Sequence, residues 1–176
     1  VIYSAQNGVV LLSSDQIIAR KCFKFYSSPP STQARKEKGL IMRVDIWSDV
    51  VCPFCYIGKK RLEAAAEQAG LELEVHWHSY ELDPEAPIRQ EVSNSERLAQ
   101  KYGRTVAEVE EMQRNIAAMA AEEGIQFNWE NANSGNTFNA HRIIHLAQSK
   151  GLGSEAKEAF FYSYMTQGLP IGERET

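Results

Sequence analysis

Residues 43–58 read Arg43-Val44-Asp45-Ile46-Trp47-Ser48-Asp49-Val50-Val51-Cys52-Pro53-Phe54-Cys55-Tyr56-Ile57-Gly58. The first part, Arg43 to Val51, opens with apolar residues at alternate positions, Val44 and Ile46. It is rich in β-branched and aromatic side chains, the pattern of a buried strand. Pro53 stands where a helix can begin at little cost, because its φ is already helical and its missing N–H belongs to a turn that has no acceptor for it. Ile57, Leu62, Ala65, Ala66 and Ala69 then recur at helical spacing as far as Gly70. Two cysteines separated by two residues therefore fall at the junction of a strand and a helix.

That placement suits thiol-disulfide exchange. The reaction needs one thiolate to attack a disulfide and a second thiol close enough to resolve the mixed disulfide. At a helix start the unsatisfied N–H groups and the macrodipole favour a thiolate, so Cys52 is expected to attack, with its pKa below the usual value of about 8.5. Cys55, one turn inside, is expected to be shielded and to resolve. Pro53 restricts the turn. Phe54 supplies an apolar neighbour that adds no charge to the thiolate, which implies a less oxidising couple than a histidine there would give. A zinc knuckle also uses CxxC, but it requires two more ligands at suitable spacing. The sequence has no second CxxC and no CxxH.

Beyond the helix, Leu71 to Tyr80 alternates Leu71, Leu73, Val75 and Trp77 with Glu72, Glu74, His76 and His78, the period of a strand with one covered face. Strand, helix and strand within about forty residues form a βαβ unit. From Ser95 onward the periodicity is helical, over Ser95–Tyr102, Thr105–Glu123, Thr137–Lys150 and Ser154–Gln167. Thr105 and Glu108 have capping-box spacing, and Asn128 to Asn136 reads as a polar loop. His76 and His78 occupy the solvated alternation of their strand. His141 and His145 share a helix face without the glutamate of an HExxH site and are expected to be partly buried in packing.

Composition narrows the function classes. The 176 residues are 43% hydrophobic and 24% charged with a net charge of −4, which suits an ordinary globular chain and argues against binding to a nucleic-acid backbone. No apolar run reaches the roughly 18 residues of a membrane-spanning helix. The three cysteines do not form a disulfide framework, which favours a reducing compartment. Residues 1–41 carry six basic and two acidic residues, and the remainder 13 and 21. The early segment also contains the linker-like Ser27-Ser28-Pro29-Pro30-Ser31-Thr32, and Lys38-Gly39 would be encoded by a purine-rich run like a bacterial ribosome-binding site just ahead of Met42. Residues 1–41, with Cys22 as an incidental thiol, are therefore expected to be a leader or translated upstream sequence outside the fold.

The segment Met42 to Gly58 resembles the start of the DsbA-like oxidoreductases of the FrnE type. His76 to Leu82 is similar to that family's second strand, and Asn136-Thr137-Phe138-Asn139-Ala140-His141-Arg142 to a helix start in its inserted helical domain. The resemblance spans residues 42–176. It implies an α/β, thioredoxin-like fold, with residues 42–82 as the first part of the thioredoxin-like domain and 83–176 as an all-helical insertion. It also implies two further strands, a terminal helix and a cis-proline loop, for which the sequence up to Thr176 offers no candidate, so the thioredoxin half is expected to lack its C-terminal part. Substrates would be disulfides or thiols of proteins or small molecules, with no cofactor required, no nucleic acid and no membrane, and members without a signal peptide are typically cytoplasmic; a homodimer is compatible with the sequence. Related 2-hydroxychromene-2-carboxylate isomerases and kappa-class glutathione transferases usually have serine at the position of Cys52 and use glutathione. The alternative is thus a glutathione-dependent transferase or isomerase, with glutathione as co-substrate and Asn136 and His141 on the substrate side of the groove. Asn136 and His141 could equally be capping and packing residues.

Overall fold

A computed structural model describes residues 2–5, 8–11 and 40–173. Element order is β1 (Ile2–Ala5), β2 (Gly8–Leu11), β3 (Leu40–Ser48), α1 (Pro53–Ala69), β4 (Leu71–Ser79), α2 (Asn94–Tyr102), α3 (Val106–Glu122), α4 (Phe138–Gln148) and α5 (Gly153–Met165). Among the described residues the fold is mixed α/β, with five helices beside a four-stranded sheet.

The expected βαβ unit is present. β3 and β4 pair in parallel, with Val44 opposite Val75 and Ile46 opposite Trp77, and α1 makes the crossover. Its C-terminus falls where glycine predicts, since Gly70 has φ +65°, a conformation that costs a residue with a Cβ more than it costs glycine. β3 differs from the expected span. It starts at Leu40 and stops at Ser48, so Asp49, Val50 and Val51 form the turn that delivers Cys52 to α1. In that turn the Cys52 N–H donates to the Asp49 carbonyl at 3.3 Å. On the other side of β3, β1 pairs antiparallel with it and β2 pairs with β1, giving the order β2-β1-β3-β4. These two strands come from the segment read as upstream sequence; Cys22 and the Ser/Pro linker lie outside the described residues.

Alternation along β3 turns Val44, Ile46 and Ser48 to the core. Ile57 of α1, Trp77 of β4, Phe127, Ile144 of α4 and Phe161 of α5 join them in one cluster. The helices hold the sheet partly through polar groups. Gln148 of α4 accepts the Trp77 backbone N–H at 2.8 Å and donates to the Trp77 carbonyl at 3.3 Å, and Ser154 accepts the Trp77 indole N–H at 3.0 Å. A strand on which one tryptophan has both backbone groups and its ring nitrogen satisfied is fixed in register against α4 and α5.

Capping defines the α2–α3 arm. Thr105 and Glu108 form the expected capping box, and Ser93 and Glu96 form a second at the start of α2. Buried Gln113 of α3 donates to Ser95 of α2 at 2.8 Å and accepts from Asn94 at 3.2 Å, so the two helices are joined by a satisfied buried polar group.

Candidate active site

Cys52 is the N-cap of α1, with extended φ and ψ of −93° and 110°. The Cys55 N–H donates to its carbonyl at 3.0 Å. Both thiols are free; Cys52 is partly exposed and Cys55 buried. Hydrogen bonding from the Cys55 thiol, opposed by burial, holds the Cys52 thiol below the ordinary range. The same bond and the same burial push Cys55 well above it. One turn of helix has thus separated two chemically identical groups into a thiolate former and a reluctant thiol, the division that exchange requires.

Cys52, Pro53 and Phe54 form one wall of a cleft of about 990 Å³. Leu98, Met112, Ile116 and Met119 of α2 and α3 face them, with Arg97, Lys101 and Arg104 supplying cations, and Thr137 and Tyr164 also on the wall. The cleft is shaped by a close backbone approach: a Cβ on Gly135 would fall on the Ile88 carbonyl, so a side chain there would displace the loop.

Asp49 also borders the cleft and is 1% exposed. Its Oδ2 accepts the Leu82 N–H at 2.7 Å, and its Oδ1 lies 3.4 Å from Nε2 of His141. Burial acts to raise its pKa, but the contacts from His141, Leu82 and Thr137 hold the carboxyl below its usual value. His141 is therefore a buried partner of the turn that carries Cys52. Asn136 is occupied locally, its amide donating to the Pro84 carbonyl at 3.1 Å and its Oδ1 accepting the Phe138 N–H at 3.0 Å. The residues around these two that border the cleft are Ser134, Gly135 and Thr137. His145, expected to share the packing of His141, is instead exposed and bonded to Ser79 Oγ at 2.8 Å, because positions 141 and 145 drift across the edge of the buried stripe of α4. His78 stacks on Trp47 with centroids 4.3 Å apart and sits 2.8 Å from Asp45.

Two residues were not visible as site residues in the sequence. Lys157 of α5 is 1% exposed; its Nζ donates to the Ser48 carbonyl at 3.1 Å and lies over the Trp77 and Phe161 rings. Glu158, its neighbour, accepts from Tyr56, Lys59 and Lys60 of α1. The available signal was positional: Lys157 falls on the i, i+4, i+7 stripe with Phe161 and Tyr164, which are both buried. Among the described residues no group of three or more potential metal ligands comes together, and no helix is long and apolar enough to cross a membrane.

The sequence model of the DSBA-like thioredoxin domain matches residues 43–176. The crystal structure of a probable DsbA oxidoreductase from Streptomyces coelicolor is similar, with a TM-score of 0.68 and 33% identity over 76% of this chain and 58% of that one. The Bacillus subtilis protein YwbO, described as uncharacterized, is 26% identical over 135 residues, or 76% of this chain and 62% of its own length. The chain thus spans about three fifths of the length of these relatives. With the family match running from β3 through α5, this chain belongs to the DSBA-like thioredoxin domain family.

Proposed function

We propose that the protein exchanges a Cys52–Cys55 dithiol with disulfides of protein or small-thiol substrates. The observation that carries this reading is the asymmetry of the two sulfurs: Cys52 partly exposed at a cleft with its pKa lowered, Cys55 buried one turn behind it with its pKa raised. The Cys52 thiolate attacks one sulfur of the substrate disulfide, forming a mixed disulfide and expelling one substrate thiol. Cys55 then attacks Cys52, the Cys52–substrate bond breaks, and the second substrate thiol leaves with the proton that Cys55 gave up. Two electrons pass from the dithiol to the substrate, and no cofactor is required. The chemistry is reversible, and a reducing, cytoplasmic setting suits three cysteines without a framework.

Iodoacetamide alkylation of a Cys22→Ala background across a pH series, with and without Cys52→Ala, tests the reading. A fast-reacting thiol with a midpoint below the ordinary value of about 8.5, abolished by Cys52→Ala, is expected. If Cys52 reacts no faster than a free thiol near neutral pH, the reading fails. Turnover of glutathione with an electrophile that survives Cys55→Ala would replace it with the transferase or isomerase alternative.

A further inference from the structure

The resolving step has a difficulty that the two cysteines do not solve. Cys55 must ionise to attack, yet it is 5% exposed, and the cost of a buried thiolate is high unless a charge or donor meets it. Lys157 is the cation placed to help. Its Nζ donates to the carbonyl of Ser48 at 3.1 Å, and that carbonyl belongs to the same peptide unit as the N–H of Asp49. The Asp49 backbone in turn acts on the Cys55 sulfur in the direction that favours the thiolate, as its N–H does when it faces the sulfur. An ammonium on one end of a peptide group draws electrons from its carbonyl and strengthens the donor at its other end. Lys157, Ser48, Asp49 and Cys55 are all buried.

We propose that Lys157 is a positioning residue for disulfide exchange, stabilising the Cys55 thiolate during resolution by acting through the Ser48–Asp49 peptide unit. This rests on the reading of Cys52 and Cys55 as an exchanging pair. In the step it assists, Cys55 loses its proton, the Cys52–Cys55 bond forms, the Cys52–substrate bond breaks, and the substrate thiolate leaves and takes up a proton. The titratable groups that act on Lys157 are Cys55 of α1, Asp49 of the preceding turn and Cys52 at the N-cap, with His141 of α4 behind Asp49; from β4 the Trp77 ring lies against it. A structural explanation, a lysine buried by chance for its stem, accounts less well for a site where desolvation has brought the amine down to about 8. Such a cost is retained where the charge is used.

The test follows both thiol steps in one trace. In a Cys22→Ala background, dithiobis(nitrobenzoate) releases one nitrothiobenzoate as Cys52 attacks and a second as Cys55 resolves. With Lys157→Met, the first release is expected to stay within about threefold of the parent. The second should slow about tenfold near pH 7, its midpoint moving up about one pH unit. A second phase unchanged in rate and midpoint overturns the proposal while leaving the exchange reading intact; loss of the first phase in the parent protein overturns the exchange reading itself. Should Lys157→Met fail to fold, the unsubstituted protein decides: the Lys157 side-chain carbon signal, followed by NMR, should titrate at higher pH in the dithiol than in the disulfide form. Equal midpoints in the two forms would refute the coupling.

Discussion

Replacing Glu158 with alanine should cost about 2–3 kcal/mol of stability. The carboxylate accepts the Tyr56 hydroxyl at 2.6 Å and the Lys60 ammonium at 2.6 Å on one oxygen, and the Lys59 ammonium at 2.5 Å on the other. Removing one partner of a fully buried ion pair costs ~3–5 kcal/mol. Here the Lys59 side chain is 6% exposed but Glu158 is 32% exposed, and Lys59 keeps Glu63 at 2.7 Å, so only part of that penalty remains. Lys60 is a half-exposed donor worth under about 1 kcal/mol. The Tyr56 hydroxyl, its ring stacked 4.8 Å from Phe161, loses its acceptor at a cost of about 1–2 kcal/mol. Urea midpoints at unchanged m-value are the assay, and the thermal midpoint should fall by about 5–10 °C. Glu158→Gln, which retains an acceptor for Tyr56, should lose about half as much. Burial opposes ionisation, yet the three donors hold the Glu158 pKa below its usual value, so its contribution is present above its unfolded value of about 4.3 and disappears as pH falls through the folded value. A loss below about 0.5 kcal/mol for Glu158→Ala would refute the claim that this carboxylate ties α5 to α1.

Gly135→Ala, which brings a Cβ against the Ile88 carbonyl, should destabilise by about 1–3 kcal/mol through a forced backbone shift and alter access to Cys52, measured by urea unfolding and by alkylation rate; wild-type values for both would show the loop to be freely adjustable. Asp49 has a lowered pKa despite burial. Its share of stability is present above its unfolded value of about 3.9 and is lost below it, so Asp49→Asn should flatten the acid limb of a stability-versus-pH curve measured between about pH 5 and pH 2; an unaltered limb would show that the His141 and Leu82 contacts contribute nothing.

Much of the fold was legible because it depends on near neighbours in the chain. Alternating residues specified β3 and β4 because a strand turns successive side chains to opposite faces. Pro53 and Gly70 marked the ends of α1 through their own φ preferences. The Thr105–Glu108 box was found from its spacing, and the Ser93–Glu96 box, of the same spacing, went unread. The end of β3 was not legible, since Asp49-Val50-Val51 has strand composition and becomes a turn to bring Cys52 onto α1.

By itself the sequence determined the candidate reacting groups, Cys52 and Cys55, and their places, because spacing along one helix turn fixes which sulfur is at the end and which is inside. Tertiary structure decided what surrounds them. Lys157 and Ser48, Glu158 and Tyr56, and His141 and Asp49 meet across roughly a hundred residues of chain. A lysine in a helix has the same local pattern whether it points to water or to the core. Only the packing of α5 against β3, β4 and α1 removes the water around Lys157 and sets its charge against the Ser48 carbonyl, beside the turn that carries Cys52.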